Sequence, residues 1–233
     1  MTACDRILDP PQSAMNGALI SQVSHDVRTP VSAILGALQV LSQAQLNDQQ
    51  TAIAAAGKRA AMGLMGILDN FIETVRLDAD AVILRPEPHP LAALKSGWTR
   101  LLADAMQGGG HDRTCGTLSL DDDLPDNITM DSFYVNLILA NLIGNAVAHA
   151  GAQGVHLSAA RADGDDVRIT VSDCGPGIPD ARVPSLFAPR PDTDAKWGLG
   201  LPMSAAIARL MGCGLALKAT GPQGSAFTLH IPA

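Results

Sequence analysis

The sequence predicts a helical hairpin that forms a dimeric four-helix bundle, followed by an α+β sandwich with helices on one face of a mixed sheet. Three observations carry this reading. Apolar residues recur at helical spacing through two long stretches before residue 80. A proline-dense segment interrupts the chain at residues 85–90. Beyond it, helix-period and strand-period segments alternate.

In the first stretch Leu19, Val23, Val27, Ile34, Leu38 and Leu41 follow intervals of 4, 4, 7, 4 and 3. In the second, Ile53, Ala60, Leu64, Ile67, Phe71 and Val75 follow intervals of 7, 4, 3, 4 and 4. Each set makes one narrow apolar stripe on a helix. Leu46, Asn47 and Asp48 between them supply a turn and an N-cap. Two helices cannot enclose a core, so the stripes need a partner surface. A second copy of the chain is the expected one, and the hairpin's own second domain is the alternative.

Pro86, Pro88 and Pro90 follow Arg85 within one short run. Proline has no amide hydrogen and disfavours helix in the residue before it, so a boundary is expected here. Residues 1–13 read as an N-terminal linker, 14–84 as the hairpin domain and 85–233 as the second domain. In that domain Leu91–Met106 predicts a helix. Thr117–Leu120 and Ile128–Thr129 are short strands, and Ser132–Ala150 is a helix. Val155–Ala160 and Val167–Ser172 alternate apolar and polar residues across a turn at Asp163, Gly164 and Asp165. Leu201–Met211 is a helix ended by Gly212. Leu215–Ala219 and Ala226–Ile231 are strands joined through Gly221 and Gly224.

Composition narrows the function. The 233 residues are 47% hydrophobic, enough for a packed core. Sixteen basic residues against twenty-three acidic ones leave a net charge of −7, which argues against a nucleic acid held on a basic surface. Cys4, Cys115, Cys174 and Cys213 form no CxxC pair, so reduced thiols in a cytosolic protein are expected rather than a zinc ribbon or disulfides. The first residues carry no apolar run of signal-peptide length. Residues 132–160 lack charge but hold Asn136, Asn141, Asn145, His149, Gln153 and His156. Lipid would leave these groups unsatisfied, so no membrane span is expected there. A membrane sensor region ahead of the chain stays open, so the expected location is cytoplasmic, including the cytoplasmic part of a membrane-anchored sensor.

Four motifs carry chemistry. The first is Ser24-His25-Asp26-Val27-Arg28-Thr29-Pro30. His25 lies off the apolar stripe and should face solvent, and Pro30 should bend the helix beside it. An imidazole is a nucleophile through one nitrogen when an acceptor such as Asp26 holds the other. The string strongly resembles the H-box of sensor histidine kinases, with Asp26 and Val27 in place of the usual glutamate and leucine. The resemblance implies that His25 is the phosphoacceptor. It implies that Asp26 is the acid/base residue that orients it, and that Thr29 positions water for phosphatase activity.

The second motif runs from Asn141 to His149. Asn141, Asn145 and His149 share one polar helix stripe at i, i+4, i+8, opposite Leu137, Leu139, Ile143 and Val147. It resembles the N-box of the same kinases. That match implies that Asn145 coordinates the Mg2+ bridging the ATP phosphates and that Asn141 lines the site one turn earlier. Ala148 stands where the family usually has a lysine, so one phosphate contact is missing.

The third motif, Asp173-Cys174-Gly175-Pro176-Gly177, follows a strand. It resembles the G1 box of the ATPases shared by gyrase, the Hsp90 chaperone, histidine kinases and MutL. The implied role of Asp173 is to accept a hydrogen bond from the adenine amino group, while Gly175 and Gly177 let the backbone approach the base. The fourth, Trp197-Gly198-Leu199-Gly200-Leu201-Pro202, opens a helix whose free amides favour phosphate. It resembles the G2 box and makes Gly198 and Gly200 nucleotide-binding candidates. Lys196 replaces a customary glycine, and Pro179–Lys196 would be a short ATP lid. Leu186 and Phe187 resemble the start of the family's F-box, without its second aromatic.

Taken in order, the four motifs imply the catalytic core of a sensor histidine kinase. It would use ATP and Mg2+ to phosphorylate His25 and pass the phosphoryl group to an aspartate of a response-regulator receiver domain, as a homodimer. Ala148, Lys196 and the short lid leave open a phosphorelay or kinase-modulating protein with a weakened ATP site. A third class, an interaction module whose dimeric bundle is its whole function, fits poorly with His25, Asp26 and Asn145.

Overall fold

The computed structural model describes residues 12–44, 46–78, 82–109, 116–150, 154–188 and 200–233. Two helices form the hairpin, α1 (Gln12–Leu41) and α2 (Asp48–Asp78). Helix α1 continues through Pro30. The Thr29 hydroxyl donates to the His25 carbonyl at 2.9 Å, next to the Asp26 carbonyl that Pro30 cannot serve. Helix α2 opens on a reciprocal cap. Asn47 Oδ1 accepts the Gln50 amide at 2.9 Å, and Gln50 Oε1 accepts the Asn47 amide at 3.1 Å. The helices run antiparallel, with Arg28 donating to Asp69 at 2.5 Å. Near the turn, Leu38 methyls sit against Gly57. Ala54 and Ala61 are buried on α2 and Val31 on α1, so small residues let the helices approach.

The apolar stripes stay open. Ile34, Leu41, Ile53, Leu64, Ile67 and Phe71 are all exposed in the single chain. The hairpin does meet the second domain, but through another face of α2. Ile72 and Glu73 are buried, and Leu77 packs on that domain's core.

The second domain begins with β1 (Glu87–Pro90), α3 (Leu91–Gly109), β2 (Gly116–Leu120), β3 (Asn127–Met130) and α4 (Ser132–Ala150). It continues with β4 (Val155–Arg161), β5 (Val167–Asp173), a 3-10 turn (Asp180–Ser185), α5 (Gly200–Leu210), β6 (Gly214–Gly221) and β7 (Gly224–Ile231). Strand β1 was not expected, because its prolines read only as a break. It pairs antiparallel with β3 alone, an edge position where a missing donor is tolerated. The main sheet has the order β2-β4-β5-β7-β6, with β2 and β4 parallel and the other pairs antiparallel.

Alternation decides which face is covered. Val155, Leu157, Val167, Ile169, Val171, Leu229 and Ile231 point inward and are buried. Against them pack Trp98 and Leu102 of α3, Val135, Ile138, Leu139 and Leu142 of α4, and Ile207 of α5. The outer face is polar. Thr170 and Thr228 pair across strands at 3.1 Å, and the His156 ring lies between Thr117 and Ser119 at 2.7 and 3.1 Å.

Asp131 joins the domain's entry to α4. One carboxylate oxygen accepts the amides of Phe133 and Tyr134 at 3.1 and 3.3 Å. The other accepts the Arg85 amide at 2.8 Å. Asp131 is itself buried. Asp131→Ala removes a helix cap and orphans three amides, with an expected cost of about 2 kcal/mol. Calorimetry should record a melting temperature lower by several degrees.

Candidate functional site

His25 stands on the solvent side of α1 with its side chain 81% exposed. One turn on, Arg28 donates to Asp69 of α2 from about 60° around the helix axis. Asp26 Oδ1 lies 3.7 Å from His25 Nδ1. That is beyond a hydrogen bond, but a turn of either exposed side chain closes it. Thr29, the third hairpin candidate, has its hydroxyl on the His25 carbonyl.

Three of the nucleotide candidates, Asn145, Asp173 and Gly177, line a cavity of about 800 Å3 in the second domain, whereas Gly175 and Gly200 lie next to lining residues without lining it themselves. It lies between α4, the loop after β5, the 3-10 turn, the start of α5 and the β6–β7 turn. Leu142, Ala146, Val171, Ile178, Leu186 and Phe227 give it apolar walls, and Asn145, His149, Asp173, Arg182 and Ser225 give it polar ones. The size suits a nucleotide-sized ligand. Phe187 packs edge-on against Phe227 with centroids 6.3 Å apart, which ties the described part of the lid to the sheet.

The α4 stripe divides between two places. Asn145 and His149 line the cavity. Asn141 is not among the lining residues. Its Oδ1 accepts Asn70 Nδ2 of the hairpin at 3.1 Å, and its own Nδ2 donates to Ser204 Oγ of α5 at 3.4 Å. Four residues on a helix bring a side chain about 40° past its starting direction, so one stripe can serve two neighbours.

Asp173 ends β5 at the cavity wall. Its Oδ1 accepts the Gly175 amide at 2.8 Å, and its other oxygen takes no hydrogen bond among the described residues. The loop that follows is held by close backbone contact. A Cβ on Gly175 would fall 2.7 Å from the His149 carbonyl oxygen. Gly177 has φ +76°, and a Cβ there would lie 2.1 Å from the Gly221 oxygen, so both conformation and space require glycine. Gly224 meets the Asp173 carbonyl just as closely at φ +125°. Thr220 Oγ1 accepts the Ile178 amide at 2.7 Å. The β6–β7 turn is therefore one wall of the site. Sequence reasoning took it only as a turn and missed Pro222, Ser225 and Phe227, for which the paired glycines were the available signal.

Gly200 opens α5, with Leu201 and Pro202 at the cavity. The N-terminal end of the helix therefore faces the site; first-turn amides lack intrahelical partners and favour phosphate oxygens, although Pro202 has no amide hydrogen to offer. Gly198, Lys196 and residues 189–199 in general lie outside the described residues. A Mg2+ ion fits the remaining chemistry. The Asn145 amide oxygen is a hard donor at the wall, and Mg2+ needs few protein ligands when phosphate and water complete its shell.

Among the described residues no helix is long and apolar enough to cross a membrane. Cys174 and Cys213 are free thiols, and burial raises the Cys213 thiol above its usual value. Cys4 and Cys115 lie outside the described residues.

Comparison with known proteins bears on both halves. Residues 15–80 match the His Kinase A (phospho-acceptor) domain family. Residues 130–233 match the histidine kinase-, DNA gyrase B- and HSP90-like ATPase family. The signal transduction histidine-protein kinase BarA of Escherichia coli K12 is 25% identical over 91% of this chain and 24% of its own length. The sensor protein TorS of the same strain is 27% identical over 94% of this chain and 24% of its own. The circadian input-output histidine kinase CikA of Synechococcus elongatus is 26% identical over 94% of this chain and 30% of its own. The chain thus spans about a quarter of the length of the first two relatives. Among solved structures, full-length ShkA in complex with AMPPNP superposes with TM-score 0.66 and 27% identity, over 93% of this chain and 46% of that one. The Acinetobacter baumannii histidine kinase AdeS shares the fold, with TM-score 0.57 and 19% identity over 89% and 96%.

Proposed function

We propose, from the premise that the chain belongs to the sensor histidine kinases of two-component systems, that it transfers the γ-phosphoryl group of ATP to His25. The phosphoryl group then passes to an aspartate of a response-regulator receiver domain. The observation that carries the reading is the cavity where Asn145, Asp173 and the opening turn of α5 converge, in one chain with an exposed histidine–aspartate pair.

In this reading the apolar walls take the adenine, and the free oxygen of Asp173 accepts its amino hydrogen. The α5 amides and Gly200 hold phosphate oxygens, and Asn145 holds Mg2+. The ion supplies charge neutralisation between the phosphates. Little covalent work then falls to the protein beyond positioning. Asp26 orients the His25 ring and takes the proton from Nδ1, leaving Nε2 as the nucleophile. Thr29 is assigned to the reverse task of placing water for dephosphorylation of the receiver. Incubation with γ-labelled ATP and Mg2+ should give an acid-labile, base-stable phosphoprotein, as a phosphoramidate requires. Absence of label rejects the reading.

The exposed stripes support a homodimer built by the hairpin. Light scattering should give twice the chain mass of 24.1 kDa. Ile67→Asp combined with Phe71→Asp should give the single mass, because two charges on the seam would have to be buried unpaired. The chain spans about a quarter of the length of BarA and TorS.

A further inference from the structure

Asn141 is the candidate nucleotide residue whose side chain is already engaged elsewhere. Both ends of its carboxamide are used, Oδ1 by Asn70 of the hairpin and Nδ2 by Ser204 of α5. Ser204 is completely buried, so its hydroxyl cannot swing out to follow Asn141. Gly200, the first residue of α5, leaves room beside the same Asn141 oxygen, to which an added Cβ would come within 3.3 Å. The chain Asn70–Asn141–Ser204 therefore runs from the histidine-bearing hairpin into the second turn of α5.

The contact is also incompletely satisfied. Asn70 Oδ1 and, one turn further along α2, Glu73 Oε1 are buried without a partner. Glu73 stands beside the Tyr134 hydroxyl, which burial and then that carboxylate push above its usual value. An interface with Asn70 Oδ1 left unpaired gives up part of its stabilisation while closed. Such a contact is suited to opening when another ligand competes for its donor or acceptor.

We propose that Asn70 is a positioning residue that holds Asn141 away from the nucleotide site. Docking of the second domain on α2 and engagement of Asn141 by magnesium nucleotide then compete for one carboxamide. This inference rests on the nucleotide-binding reading above and adds a coupling to it. Linkage makes the effect reciprocal: nucleotide loosens the docked hairpin as much as docking weakens nucleotide. The Arg28–Asp69 pair places His25 within about a turn of the Asn70 level, so the hairpin is released at the height where the phosphoacceptor sits.

The test measures binding of Mg2+ and AMPPNP to the full chain by titration calorimetry. Asn70→Ala should tighten binding by about two- to tenfold, the weight of one hydrogen bond lost from the competing state. Thr74→Val is the control on the same helix. Its hydroxyl serves only the Asn70 carbonyl, at 2.8 Å, so affinity should not move. In an Asn141→Ala background the gain from Asn70→Ala should vanish, which a general loosening of α2 would not produce. Wild-type binding with no gain in Asn70→Ala, or the same gain without Asn141, overturns this inference alone. A wild-type chain that binds no magnesium nucleotide overturns the reading above and this inference with it.

Discussion

His25→Gln is expected to abolish phosphorylation of the chain by labelled ATP while leaving nucleotide affinity within about twofold of wild type. The argument rests on separation. Among the described residues none of α1 or α2 lines the cavity, and the His25 side chain has Asp26 as its charged neighbour. Glutamine keeps the length and polarity of an exposed helical residue, so the hairpin stripes and the Arg28–Asp69 bond are untouched. Asp26→Asn should slow labelling by about 100-fold without abolishing it, since an orienting acceptor and base is lost but the nucleophile remains. Label retained in His25→Gln would place the phosphoacceptor elsewhere. Nucleotide binding with no label in the wild-type chain would favour a modulator or phosphatase.

Much of this architecture was legible because local pattern and tertiary burial agree. Helix α4 was read to its end residues, since an apolar face and a polar stripe both keep the 3.6 period through Ser132–Ala150. The reciprocal cap at Asn47 was equally local. Strand β1 was hidden because its backbone pairing with β3 spans about forty residues, whereas its prolines act locally as breakers. The site divided in the same way. Asp173, Gly177 and Asn145 stood out through the resemblance of their motifs to those of a known family, and all three line one cavity. The direction of Asn141 did not stand out, because it depends on α2 docking against α4 and α5. That contact joins residues 71 positions apart and buries Glu73. The apolar stripe of α2 is exposed in the single chain, and the face of α2 that meets the second domain is a different one.

The second large effect is expected at Asn145. Its amide oxygen is the hard donor that α4 presents at the cavity wall, with Leu142 and Ala146 beside it and His149 one turn on. Replacing it by alanine removes that donor and leaves the core side of the helix, Leu139 and Ile143, unchanged. Magnesium-dependent nucleotide binding should fall by about 100-fold, the scale on which a single group aimed at phosphate charge acts in a partly enclosed site. Asn136→Ala is the matched control. It removes the same chemistry from the same helix at an exposed position, about 180° around the axis from Asn145, and affinity should stay within about twofold. The pair separates a metal site from a general sensitivity of α4. Equal losses would mean that the helix rather than the ligand is being read. Loss confined to Asn145→Ala, and present only when Mg2+ is supplied, would tie the ion to that side chain.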